Sequence, residues 1–322
     1  MFRILRHPKS VIGFILSIIG LYYAFKDFSF NNFFSSLNDI NYIYIMFASL
    51  LLWISIWFRG LRWKLLFSKT DSVTTSSLYR AEMIGNFGNN VFPLRLGELL
   101  RCYIVSQEHS LSNSFVIGTI LLERMFDLIY LGLLSILLIL IYPMDSMIRE
   151  NILIIGTILI LGVILLFIVL RYIKISTSNN KIKIAISNFI EGVLSLRRES
   201  FFGVIITSTI IWFIYFINTY LLQKAFQFNL NLDQILAVLV ISYIAISIPS
   251  APGMFGTFHL AVKKTVVEMF GITSSIANSF AILMHAYGYI LLTVLGAYYL
   301  LRNQFHKNAI NDVILSDYSN ES

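Results

Sequence analysis

Apolar runs separated by short polar stretches dominate the chain. Six of them, roughly 10–26, 41–59, 112–142, 151–170, 201–223 and 276–301, are long enough to cross a bilayer. Ile152–Leu170 and Phe201–Leu222 contain no charged residue. Lipid offers no partner to a backbone N–H or C=O, so each run is predicted to be a helix.

Two further apolar stretches are interrupted. The stretch from Leu78 to about Ser106 carries Gly85, Gly88, Pro93 and Gly97, and that from Gln234 to about Phe270 carries Pro249, Pro252, Gly253 and Gly256. Proline and glycine break a membrane helix unless the freed backbone groups find other partners. Each stretch therefore reads as a helical hairpin that enters the membrane and returns. The alternative is two complete spans per stretch, giving eight or more crossings.

Charge placement bears on this choice. Arg59, Arg62, Lys64 and Lys69 follow the second run; Arg171, Lys174, Lys181, Lys183, Arg197 and Arg198 separate the fourth from the fifth; Arg302 and Lys307 follow the last. With both termini cytoplasmic, six crossings and two returning hairpins put every one of these clusters inside, as the positive-inside rule requires. The hairpins then open from opposite sides, the arrangement of an inverted repeat with halves at about 10–142 and 151–301. A sequence echo supports it: Pro93-Leu-Arg-Leu-Gly97-Glu-Leu parallels Pro252-Gly-Met-Phe-Gly256-Thr-Phe. The predicted fold is an all-α polytopic membrane protein. It forms one integral domain over 1–302, followed by a polar, mobile cytoplasmic tail over 303–322. Lys181–Arg198, with apolar residues at helical spacing, reads as a helix lying on the inner leaflet.

Composition agrees: of 322 residues, 57% are hydrophobic and 13% charged, against about a quarter charged in a soluble domain. Arg3, Arg6 and Lys9 precede the first run, but no small-residue cleavage site follows, so it reads as a retained span. A lone cysteine, Cys102, excludes an intrachain disulfide. The net charge of +7 fits cytoplasmic loops and attraction to anionic lipid heads. No phosphate-binding loop, dinucleotide fingerprint, metal-ligand spacing or nucleophile elbow is present. No basic module that reads nucleic acid is present either.

Candidate chemistry falls in three places. The first is Arg80–Arg101, with Asn86, Asn89, Asn90, Arg95, Glu98 and Arg101 around Pro93 and Gly97. A helix resuming after Pro93 would align Arg95, Glu98 and Arg101 on one face. Glu98 would then bridge both arginines, and the helix N-terminus would aim its N–H groups at the break. Two arginines suit a phosphate. The second is Glu123, Arg124 and Asp127, about 17–22 Å into the helix that starts near Ser112. A charge at the bilayer centre costs at least about 2.5–3.5 kcal/mol, so these three must face the protein interior or a wet cavity. The third is the break from Pro249 through Pro252, Gly253 and Gly256, followed by Thr257, a candidate helix cap, and His259. His259 and His285 are the polar ionisable groups within their apolar stretches.

These motifs together resemble one family. Pro93-x-Arg95-x-Gly97-Glu98-x-x-Arg101, Glu123-Arg124-x-x-Asp127 and Pro252-Gly253-x-x-Gly256-Thr257-Phe258 are similar, in order, to the membrane region of lysylphosphatidylglycerol synthetases. That region also occurs as stand-alone, flippase-like proteins of bacteria and archaea, and the resemblance covers about residues 8–302. It implies movement of a lipid between leaflets of a prokaryotic cytoplasmic membrane. The family's soluble domain, which makes lysylphosphatidylglycerol from lysyl-tRNA, has no room before Ser322, so lysyl transfer is not expected. No cofactor or metal is expected. The implied partners are membrane lipids and a separately encoded soluble synthase; a membrane enzyme or scaffold is the alternative. This chain has His259 and His285 where the family usually has Glu and Arg. If those positions pair, both have changed together, and the usual headgroup preference does not carry over.

Overall fold

The computed structural model describes Tyr22 and residues 30–67, 72–92, 95–143, 146–173, 180–247 and 252–320. Nearly all of the predicted first span, together with Pro93 and Pro249, lies outside the described residues. The described residues are helical throughout, without strands.

A short helix α1 (Phe30–Asn38) precedes α2 (Tyr42–Leu66). The first broken stretch forms α3 (Thr75–Val91) and α4 (Gly97–Glu108). The long α5 (Asn113–Ile141) ends the first half. The second half contains α6 (Ser146–Tyr172), α7 (Lys181–Val193) and α8 (Arg198–Ala225). The second broken stretch follows as α9 (Leu232–Ser247), a 3₁₀ turn (Pro252–Met254) and α10 (Thr257–Lys264), which runs into a π-turn (Thr265–Met269). α11 (Ser274–Asn320) closes the chain. Five of these helices, α2, α5, α6, α8 and α11, are long and apolar enough to cross a membrane. The chain is a polytopic helical membrane protein.

Side-chain caps set several starts. Asn41 accepts from Ile43 N–H at 3.1 Å, Thr74 from Ser77 N–H at 3.2 Å and Ser112 from Phe115 N–H at 3.2 Å. Two predicted boundaries move. α2 continues past residue 59 to Leu66 and carries Arg59 and Arg62 inside the helix. The polar tail after Gln304 stays helical through Asn320. α7 is amphipathic as predicted: Ile182, Ile184 and Ile186 are exposed, whereas Ile190 and Val193 are buried against α5.

Both broken stretches fold back on themselves. In the first, Ser77 Oγ lies 2.8 Å from His109 Nε2, and Arg80 pairs with Glu108 at 2.5 Å. The segment therefore starts and ends at one end of the molecule. In the second, the π-turn packs against α9, and Leu236 shares a core cluster with Met269 and Phe270. Ser195 Oγ donates to Leu66 C=O at 2.6 Å near the first hairpin's ends. At the other end, Asn41 N–H donates to Ala225 C=O at 3.0 Å.

Packing pairs come in matched sets. α2 packs on α8, its counterpart in the other half. α3 packs on α11 as α9 packs on α5, α4 on α5 as α10 on α11, α2 on α3 as α8 on α9, and α1 on α11 as α7 on α5. Each hairpin is thereby held by the last span of the opposite half, and the two breaks meet. The 3₁₀ turn packs on α3, and the Arg95 guanidinium donates to Ile246 C=O on α9.

Candidate functional site

Charge enters the core from four helices. Arg59 and Arg62, one turn apart on α2, face Glu123, Arg124 and Asp127 on α5; Glu82 on α3 and Glu98 and Arg101 on α4 complete the group. Glu123 is its hub. Its Oε1 lies 3.5 Å from Arg59, 3.2 Å from Arg62 and 3.1 Å from Arg124, and its Oε2 lies 3.3 Å from Arg101. Glu82 pairs with Arg101 and, at 2.8 Å, with Arg59. Asp127 joins Arg62 at 2.7 Å and Arg124 at 3.1 Å; Glu98 joins Arg101 at 2.7 Å. Trp63 lies under the Arg101 guanidinium at 4.7 Å, a cation–π contact.

Close packing of α3 on α4 holds this group together. A Cβ on Gly97 would collide with the Gly85 carbonyl and the Asn89 backbone, so only glycine allows the approach. Arg95 sits in the break with a φ of 55°, uncommon for a residue with a Cβ. In the second break Gly253 and Gly256 adopt φ of 64° and 93°, which glycine tolerates.

A cavity of about 420 Å³ lies where the breaks meet. Its lining includes the charged Arg59, Arg95, Glu98, Arg124 and Asp127, the amides Asn86, Asn89, Asn90 and Asn218, and Trp212, Tyr215, Ser242 and Tyr243. The first turns of α4 and α10 reach it through Glu98 and Phe258. Trp212 also lines an apolar groove of about 330 Å³ between α5, α8 and α9, with Leu134, Leu137, Phe213, Phe216 and Leu236.

The sequence profile described as the lysylphosphatidylglycerol synthase TM region matches residues 10–296. The chain belongs to this family. It is also 28% identical over 237 residues to UPF0104 membrane protein MJ1078 of Methanocaldococcus jannaschii, a match covering 70% of this chain and 99% of that protein. No solved structure matches the chain.

The candidate residues named from the sequence divide into two layers. Asn86, Asn89, Asn90, Arg95, Glu98, Arg124, Asp127, Gly253 and His285 line the cavity. Arg101 and Glu123 do not: they are 2% and 0% exposed, and they pair with residues that do, Arg101 with Glu98 and Glu123 with Arg59 and Arg124. His259 is buried just behind, its ring centroid 4.8 Å from that of His285, with Phe255, Phe258 and Tyr289 around the pair. The two positions suspected of pairing are thus in contact.

Two local expectations are corrected. The helix after the first break begins at Gly97, not Pro93, so Arg95 stands off it and Glu98 does not bridge the two arginines. Thr257 does not cap α10: Gly256 holds the cap position, and the Thr257 hydroxyl donates to Met254 C=O at 3.4 Å.

Sequence reasoning missed three charged members of this cluster. Arg59 and Arg62 look like the cytoplasmic flank of a span, and Glu82 has no charged neighbour within one turn other than Arg80. The available signal was balance: Glu123 and Asp127 need more cations than Arg124 supplies. Asn218 and Trp212 carried no signal beyond being polar atoms in an apolar helix.

Proposed function

We propose that this protein is a lipid translocator of the cytoplasmic membrane, with both termini cytoplasmic. It passes the phosphate-bearing head of an anionic, aminoacylated or polyprenyl-linked lipid through the central cavity while the lipid chains stay in the apolar phase. It acts by binding and release, without covalent chemistry of its own, alongside a separately encoded synthase.

One observation carries the reading: two helix breaks meet over a cavity lined by arginines, inside a body too apolar to hold them otherwise. Lengths support returning hairpins. The 12 residues of α4 reach only about 18 Å, short of the roughly 30 Å hydrocarbon core. The matched packing of the two halves supports an inverted repeat, which lets one half rock against the other around a fixed site. The groove that shares Trp212 with the cavity offers a path for a chain whose head is inside.

Proteoliposomes containing a headgroup-labelled phospholipid and an external quencher test this. The wild type is expected to expose label from the inner leaflet. Arg95→Gln and Arg124→Gln are expected to slow that about 10- to 100-fold, the effect of losing a hydrogen bond to a charged group. Wild-type vesicles no faster than protein-free ones would sink the translocator reading.

A further inference from the structure

The buried charges nearly cancel. Arg59, Arg62, Arg101 and Arg124 face Glu82, Glu98, Glu123 and Asp127, four against four, and each carboxylate is held by two or more arginines. Arg95 stands outside this balance. Among the described residues it makes no ion pair; its guanidinium rests on the neutral Ile246 carbonyl while lining the cavity. A phosphate oxygen in place of that carbonyl makes a stronger, charge-assisted bond. The first turns of α4 and α10, where each helix dipole is positive, border the same cavity through Glu98 and Phe258. Of the charged residues that line the cavity, Arg59, Arg95 and Arg124 face Glu98 and Asp127, which leaves one positive charge in excess and favours an anionic over a cationic guest.

Another part of the lining asks for something neutral. Asn218 is 3% exposed and lines the cavity, yet neither its amide nitrogen nor its oxygen has a partner among the described residues. The Trp212 indole N–H is equally without a partner, in a residue 5% exposed. A buried polar group left so destabilises the fold, and a ligand that pairs with it recovers that cost. Trp212, Tyr215 and Tyr243 pack together, with centroids 5.0–5.9 Å apart. Aromatic faces beside an unpaired amide suit a hydroxyl-bearing, uncharged group.

We infer that the cavity selects a lipid with one net negative charge. Its phosphodiester sits at Arg95, and its far end is a neutral polyol (glycerol, inositol or a sugar) against Asn218 and Trp212; an aminoacylated, cationic head is disfavoured. The inference rests on the translocator reading for its site but concerns selection.

The test is competitive lipid retention by the purified full-length chain, read by native mass spectrometry. The probes are phosphatidylglycerol, phosphatidylinositol, phosphatidylethanolamine and lysylphosphatidylglycerol. The polyol lipids are expected to be retained about tenfold over the other two. Arg95→Gln should erase the preference over phosphatidylethanolamine, and Arg95→Lys should restore part of it. Asn218→Leu should lower polyol retention without improving that of phosphatidylethanolamine. Equal or better retention of lysylphosphatidylglycerol by the wild type overturns the inference, and that comparison needs no variant. So does an unchanged ratio in Arg95→Gln. Translocation is measured separately. Selectivity without movement refutes the translocator and leaves the selectivity. Movement of lysylphosphatidylglycerol as fast as phosphatidylglycerol does the reverse.

Discussion

Glu123 faces four arginines from three helices and is fully buried. Removing one partner of a buried ion pair costs about 3–5 kcal/mol, because the remaining charge stays buried without compensation. Glu123→Gln should therefore lower the thermal unfolding midpoint sharply in detergent. Arg95→Gln, which loses only a carbonyl contact, should lower it little. Equal midpoints for the two variants would contradict the two-layer description. This contrast also makes Arg95 a cleaner functional probe than Arg101 or Glu123, whose substitution disturbs the fold. Glu123, Arg124 and Asp127 were legible in the sequence because charge inside an apolar helix needs an explanation. Arg59 and Arg62 were not, because a basic flank at the end of a span is ordinary.

The helices themselves were largely legible. Apolar run length gave four of the five membrane-length helices to within a few residues at most ends, whereas the caps at Asn41, Thr74 and Ser112 emerge only from the structure. The end of α2 was missed because burial of Arg59 and Arg62 depends on carboxylates far away in sequence. Proline and glycine located both breaks; their internal geometry was not legible, since the resumption at Gly97 depends on the contact with Gly85 and Asn89. Gly97→Ala should for that reason reduce folded yield in size-exclusion chromatography, while Gly162→Ala, with nothing within 4 Å of the new Cβ, should not. The proposed returning hairpin is tested by cysteine labelling in oriented vesicles. Asn229→Cys, at the end opposite the Ser77–His109 contact, should react with a bulky impermeant maleimide from outside. Phe92→Cys, at the first break, should not. Equal labelling of both would mean that 75–108 crosses completely twice.

At the scale of the whole molecule, oppositely charged side chains from α2, α3, α4 and α5 gather beside a cavity that lies where the two helix breaks meet. The sequence suggested the two halves through charge placement and one short echo. It could not show that α3 packs on α11 as α9 packs on α5, because those contacts join segments far apart in the sequence. A structure of the purified protein in nanodiscs containing phosphatidylglycerol tests the central claim most directly. The predicted result is lipid phosphate density within hydrogen-bond reach of Arg95, with chain density in the groove beside Trp212. A cavity holding only water, with every phosphate confined to the outer rims of the protein, would contradict it.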